Sequence, residues 1–109
     1  MQEQRKHPRI PIDADVGVSD INSGKMLGRL VNISAGGMML FVDNPVAVHS
    51  VFQVGLHLPD SETAGISINL GIENLWCTVS DGARGFWAGF LIIDISPEDL
   101  QQLLEYTAG

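Results

Sequence analysis

Phe52, Val54, Leu56 and Leu58 alternate with Gln53, Gly55 and His57, and Ile66, Ile68, Leu70 and Ile72 repeat the pattern. A period of two buries one face of a strand and wets the other. Shorter runs of the same kind cover Ala14 to Asp20, with Val16 and Val18 sharing a face, then Met26 to Ile33, Met38 to Val42 and Phe86 to Ile95. Asn22-Ser23-Gly24, Asp43-Asn44-Pro45, Pro59-Asp60-Ser61 and Asp81-Gly82 punctuate them as turns. The alternation slips near Glu73-Asn74, where a bulge would carry it on through Leu75 to Val79. Many short strands with such punctuation belong to a barrel or a sandwich, and the pattern alone does not choose between them.

Only the end of the chain changes period. Ser96 can N-cap, Pro97 suits the first helical position, and Glu98 and Asp99 suit the positive end of a helix. Leu100, Leu103 and Leu104 then form one apolar stripe, so residues 96–107 read as a short amphipathic helix packed on the strand body or plugging one of its ends. The chain of 109 residues is one domain, divided into an arm at 1–12, a strand body at 13–95 and this helix. Pro8 and Pro11 keep the arm out of helix, and Ile10 and Ile12 can anchor it.

Charge narrows the partners. The net charge is -7, yet five of the six basic residues, Arg5, Lys6, Arg9, Lys25 and Arg29, lie in the first 30 positions. A locally positive patch on an acidic body suits a small anion, not a long nucleic-acid polymer. No apolar run reaches the ~20 residues of a membrane helix, and no signal peptide is evident. A single cysteine, Cys77, rules out an internal disulfide. A cytoplasmic protein is the expectation. His7, His49 and His57 lack metal-ligand spacing, and no metal or cofactor is expected.

The junction Asn32-Ile33-Ser34-Ala35-Gly36-Gly37 stands out between two strands. On a strand Asn32 and Ser34 would share a face, and the glycines would keep room above it for an approaching group. The same residues also suit a turn in which Asn32 and Ser34 bond their own backbone. In the arm, Arg5 and Arg9 suit bidentate capture of phosphate or of a guanine edge, although a solvated basic tail has the same composition.

Together, Arg5 and Arg9 followed by Asn32, Ser34 and Gly37 resemble the PilZ domain family, marked by R-x-x-x-R and then [D/N]-x-S-x-x-G. The resemblance extends over nearly the whole chain. It implies a six-stranded antiparallel β-barrel with a short C-terminal α-helix and an extended N-terminal arm. It also implies a bacterial receptor for the second messenger cyclic di-GMP. Arg5 and Arg9 would then grip guanine edges and phosphates, Asn32 and Ser34 would meet a guanine or ribose, and Gly37 would leave space. Trp76 falls where some members carry a ring against the ligand; it also suits a core or barrel-rim position. Two departures are Gln4, where many members have another arginine, and Asn32, where many have Asp. The first leaves open whether one or two nucleotides bind.

Rival classes fare worse. Ser34 is not in a G-x-S-x-G elbow, Cys77 has no telling His or Asn, and no G-x-x-x-x-G-K-[ST] loop occurs, so no enzyme is expected. The expectation is a stand-alone cyclic di-GMP receptor that signals to an unidentified downstream protein as ligand orders its arm. A nucleotide-independent PilZ-like adaptor is the alternative.

Overall fold

The computed structural model describes residues 9–12, 14–82 and 84–108. The strands are β1 (Ile10–Pro11), β2 (Gly17–Asp20), β3 (Met26–Ile33), β4 (Gly37–Val42), β5 (Val51–Leu58), β6 (Ile66–Val79) and β7 (Phe86–Ile95). The helix α1 follows at Pro97–Ala108. All pairings are antiparallel, in the order β1-β3-β2-β5-β6-β7-β4, and β4 returns to pair with β3. That last pairing closes β2 to β7 into a six-stranded barrel with β1 outside it. Closure removes the unpaired edges that an open sheet would leave.

The alternating apolar residues fill the barrel. Val18, Ile33, Met38, Leu40, Val54, Leu58, Ile72 and Phe90 are fully buried. Leu103 of α1 joins the same core, while Leu100 and Leu104 are half-buried beside it. Ser96 caps the helix, its Oγ accepting from Asp99 N at 3.1 Å. The helix packs on β6, where Asp99 Oδ2 also accepts from Asn69 N at 3.1 Å. No helix among the described residues is long and apolar enough to cross a membrane.

One expectation needs adjusting. The first barrel strand was expected over Ala14 to Asp20, but β2 begins at Gly17. It pairs with Met26 to Arg29 of β3, whereas β1 takes the far end of that strand, Ile10 opposite Ile33 and Pro11 opposite Asn32. The chain between them must bend from one partner segment to the next. Ile10 and Ile12 pack on the core there, so the arm is anchored at its C-terminal end. The alternation carries on past Glu73-Asn74 as its slip suggests: 66–72 and 75–79 are one strand, β6, with register shifts at Gly71/Ile72 and Asn74/Trp76. Trp87 stands half-buried on β7 opposite Phe41, the two rings edge-on with centroids 4.9 Å apart.

Candidate functional site

The hairpin joining β3 to β4 builds one half of the site. Ile33 faces Met38 across the ladder, and residues 34–36 make the connection. Ser34 is 3% exposed, and its Oγ accepts from Gly36 N at 3.1 Å and Gly37 N at 3.2 Å. Its backbone N donates to Gly37 O at 2.8 Å. Ser34 thus spends its hydroxyl lone pairs on its own turn, which is the local use open to a serine at this spacing. Its hydroxyl proton has a longer partner, Gly37 O at 3.5 Å. Gly36 O accepts from Ile92 N at 3.0 Å, so the turn is also tied to β7.

Asn32 behaves differently. Its Nδ2 makes a weak contact with Met39 Sδ at 3.7 Å, and its Oδ1 has no hydrogen-bond partner among the described residues. That oxygen is buried, so the amide must turn before it can serve an incoming group.

The arm supplies the other half. With Ile10 opposite Ile33, the antiparallel register brings Arg9 level with Ser34. Arg9 Nη2 lies 3.3 Å from the point where a Cβ on Gly37 would stand, and Phe90 O lies 2.6 Å from that point. Arg9 is half-buried. The structure therefore brings Arg9, Asn32, Ser34 and Gly37 together. Arg5 lies outside the described residues.

Trp76 reaches the same wall by a lateral route. Asn32 pairs with Met39, Met39 with Gly89, and Gly89 with Trp76, so one row crosses β3, β4, β7 and β6. Paired residues in a row share a face of the sheet. Trp76 is 39% exposed, and its indole lies over Gly89, where a Cβ would collide with Nε1. At about 4.8 Å per strand, Asn32 and the ring over Gly89 are roughly 10 Å apart. Leu91, 43% exposed and opposite Gly37, borders the row on its other side.

Sequence reasoning missed Met39, Gly89 and Leu91. A glycine in mid-strand was the available signal for Gly89, since it marks close approach of another group. Arg29 stands away from this row, its Nη1 3.5 Å from Asp15 Oδ1 with both side chains exposed. It lines a separate hollow with Gly28, Phe41, Asp43 and Phe52. Arg9, Asn32, Ser34 and Gly37 do not line that hollow. The candidate site is instead an open wall, which suits a flat, ring-bearing ligand held by hydrogen bonds and stacking. Among the described residues no three His, Cys, Asp or Glu side chains are placed to hold a metal.

The fold has solved counterparts. The Bacillus subtilis inhibitor of motility MotI/DgrA superposes with a TM-score of 0.78 at 18% identity, over 98% of this chain and 50% of that one. The PilZ domain of Escherichia coli YcgR, solved with c-di-GMP, superposes with a TM-score of 0.71 at 17% identity, over 97% of this chain and 90% of that one. MrkH of K. pneumonia, in complex with c-di-GMP, gives 0.69 at 18% identity, over 96% and 51%. The chain thus spans about half the length of MotI/DgrA and of MrkH. A search of curated proteins finds no match. The PilZ domain profile matches residues 3–109, and with that span matched the chain belongs to the PilZ domain family.

Proposed function

We propose that this protein is a receptor for cyclic di-GMP whose nucleotide site is the wall formed by Arg5, Arg9, Asn32, Ser34, Gly37 and Trp76. One observation carries the proposal: the Arg9 guanidinium lies against Gly37 and level with Ser34, at the hairpin that Asn32 enters from β3. Two separate parts of the chain converge there with the chemistry a guanine nucleotide needs. Arginine supplies a planar fork for a phosphate or for the O6/N7 edge of guanine. An asparagine amide offers an acceptor and two N–H donors to a guanine edge or a ribose hydroxyl. Ser34 holds the turn that leaves Gly37 without a side chain under the guanidinium. Arg5 provides the second fork from the arm.

PilZ domains are ligand-binding regulatory domains, and the relatives solved with c-di-GMP support the same ligand class here. In this reading the protein is no enzyme. It works as a bacterial receptor in the cytoplasm, with no nucleic-acid polymer and no membrane insertion, and signals to a downstream protein.

Ile10 and Pro11 pair with β3, and the proposed signal lies in the arm from Arg5 to Arg9. Nucleotide captured by both arginines orders that stretch over the wall and changes the surface offered to a partner. Backbone NMR order parameters for residues 4–10, with and without cyclic di-GMP, test this. A rise across the segment on binding is expected. Equal values in both states would contradict the ordering step and leave binding to be judged by titration. A folded protein that binds no cyclic di-GMP would leave the adaptor role.

A further inference from the structure

Along the outer face of β7, Trp87, Gly89 and Leu91 follow one another at alternate positions, while Ala88 and Phe90 between them are fully buried. Gly89 is therefore a notch in an otherwise bulky face. The Trp76 ring fills it. A Cβ on Gly89 would stand inside contact range of three ring atoms, with Cζ2 at 2.8 Å and Nε1 and Cε2 closer still. No residue but glycine allows the indole to lie this far across β7 toward Met39.

Trp76 faces outward because of a second device. Asn74 sits inside the barrel opposite Phe90, fully buried. On a regular strand Trp76 would share that inward face. The register shift between Asn74 and Trp76 inserts Leu75 as an extra residue and turns Trp76 out to pair with Gly89. The Asn74 amide fastens this bulge: its Nδ2 donates to Trp76 O at 3.0 Å and to Gly89 O at 3.1 Å. One buried side chain thus ties together the backbone of the two residues whose outer faces form the ring contact.

We propose that Gly89 and Asn74 are positioning residues for nucleotide binding, which act by holding the Trp76 indole across β7 as a stacking shelf for one base. The proposal rests on the cyclic di-GMP reading above. Asn32 and the shelf lie in one row, so a nucleotide whose base stacks on the ring extends across β7 and β4 toward the Arg9 side of the wall. Stacking of a base on an aromatic ring contributes ~1–3 kcal/mol, or about five- to a hundred-fold in affinity.

The test is a coupled set of variants in a Trp87→Phe background, where Trp76 is the one remaining tryptophan. Affinity for cyclic di-GMP is measured by calorimetry, and the position of the ring by Trp76 emission and acrylamide quenching. In the background protein, nucleotide should quench Trp76. Gly89→Ala should red-shift the ligand-free emission and weaken binding about five- to a hundred-fold. Trp76→Leu should weaken binding similarly, and Gly89→Ala added to Trp76→Leu should cost little more. Trp76→Phe, which leaves a ring on the wall, should bind within a few-fold of the background.

Gly89→Ala binding as tightly as the background, or losing the same factor with and without the indole, would overturn the shelf. If Gly89→Ala does not fold, the contrast between Trp76→Phe and Trp76→Leu decides, and equal affinities would overturn it. Absence of binding by the unmodified protein would instead overturn the nucleotide reading itself.

Discussion

Arg9 and Gly37 lie against each other: the arginine Nη2 is 3.3 Å from the place a Cβ on Gly37 would take. The two residues belong to different elements, one just before β1 and the other at the start of β4. Their meeting depends on β1 docking beside the end of β3. A short strand outside the barrel is thus what joins the arm to the hairpin turn.

Gly37→Ala tests that proximity. The new methyl would face Phe90 O at 2.6 Å, a backbone atom that cannot swing away, as well as the guanidinium. Either β4 or β7 must shift. Urea unfolding should show a loss of about 1–3 kcal/mol, and Arg9 should lose its seat, with weaker cyclic di-GMP binding. Unchanged stability would mean that the turn tolerates a side chain there.

Ser34→Ala separates the turn from the ligand. The hydroxyl accepts from Gly36 N and Gly37 N in a site that is 3% exposed. Removing it leaves those amides short of a partner, a cost of about 1–3 kcal/mol by chemical denaturation. Because the loss falls on the turn, hydrogen exchange at Gly36 and Gly37 should quicken even without nucleotide. A variant with wild-type exchange would show that Ser34 matters little to the turn.

Asn74→Leu probes the bulge in β6. The substitution keeps the volume roughly but leaves Trp76 O and Gly89 O without the amide that bonds them at 3.0 and 3.1 Å. A destabilisation of about 1–3 kcal/mol is expected, with Trp76 emission altered at temperatures well below unfolding. A stable protein with unchanged emission would show that the bulge holds without the clamp.

Much of the barrel was legible because each strand carries its own alternation. The bounds of β3 and β7 match the runs Met26–Ile33 and Phe86–Ile95, and Ser96 caps α1 as its spacing suggests. The slip near Glu73-Asn74 signalled a bulge, but only the pairing with β7 places it at Leu75. Ser34 was ambiguous because a serine at a strand end can face outward or bond its own turn, and its burial settles its hydroxyl on the turn. Met39 and Gly89 were not legible as site residues. They enter through the lateral row from Asn32 to Trp76, which joins strands distant in the chain. No local pattern encodes which strands become neighbours when a barrel closes.

The most direct measurement is a calorimetric titration of the protein with cyclic di-GMP beside an Arg9→Ala variant of matched stability. The account predicts saturable binding, weakened about ten- to a hundred-fold in the variant, as expected for charge-assisted bonds of roughly 1.5–3 kcal/mol each. Equal affinity of the two proteins, or no binding by a folded wild type, would contradict it.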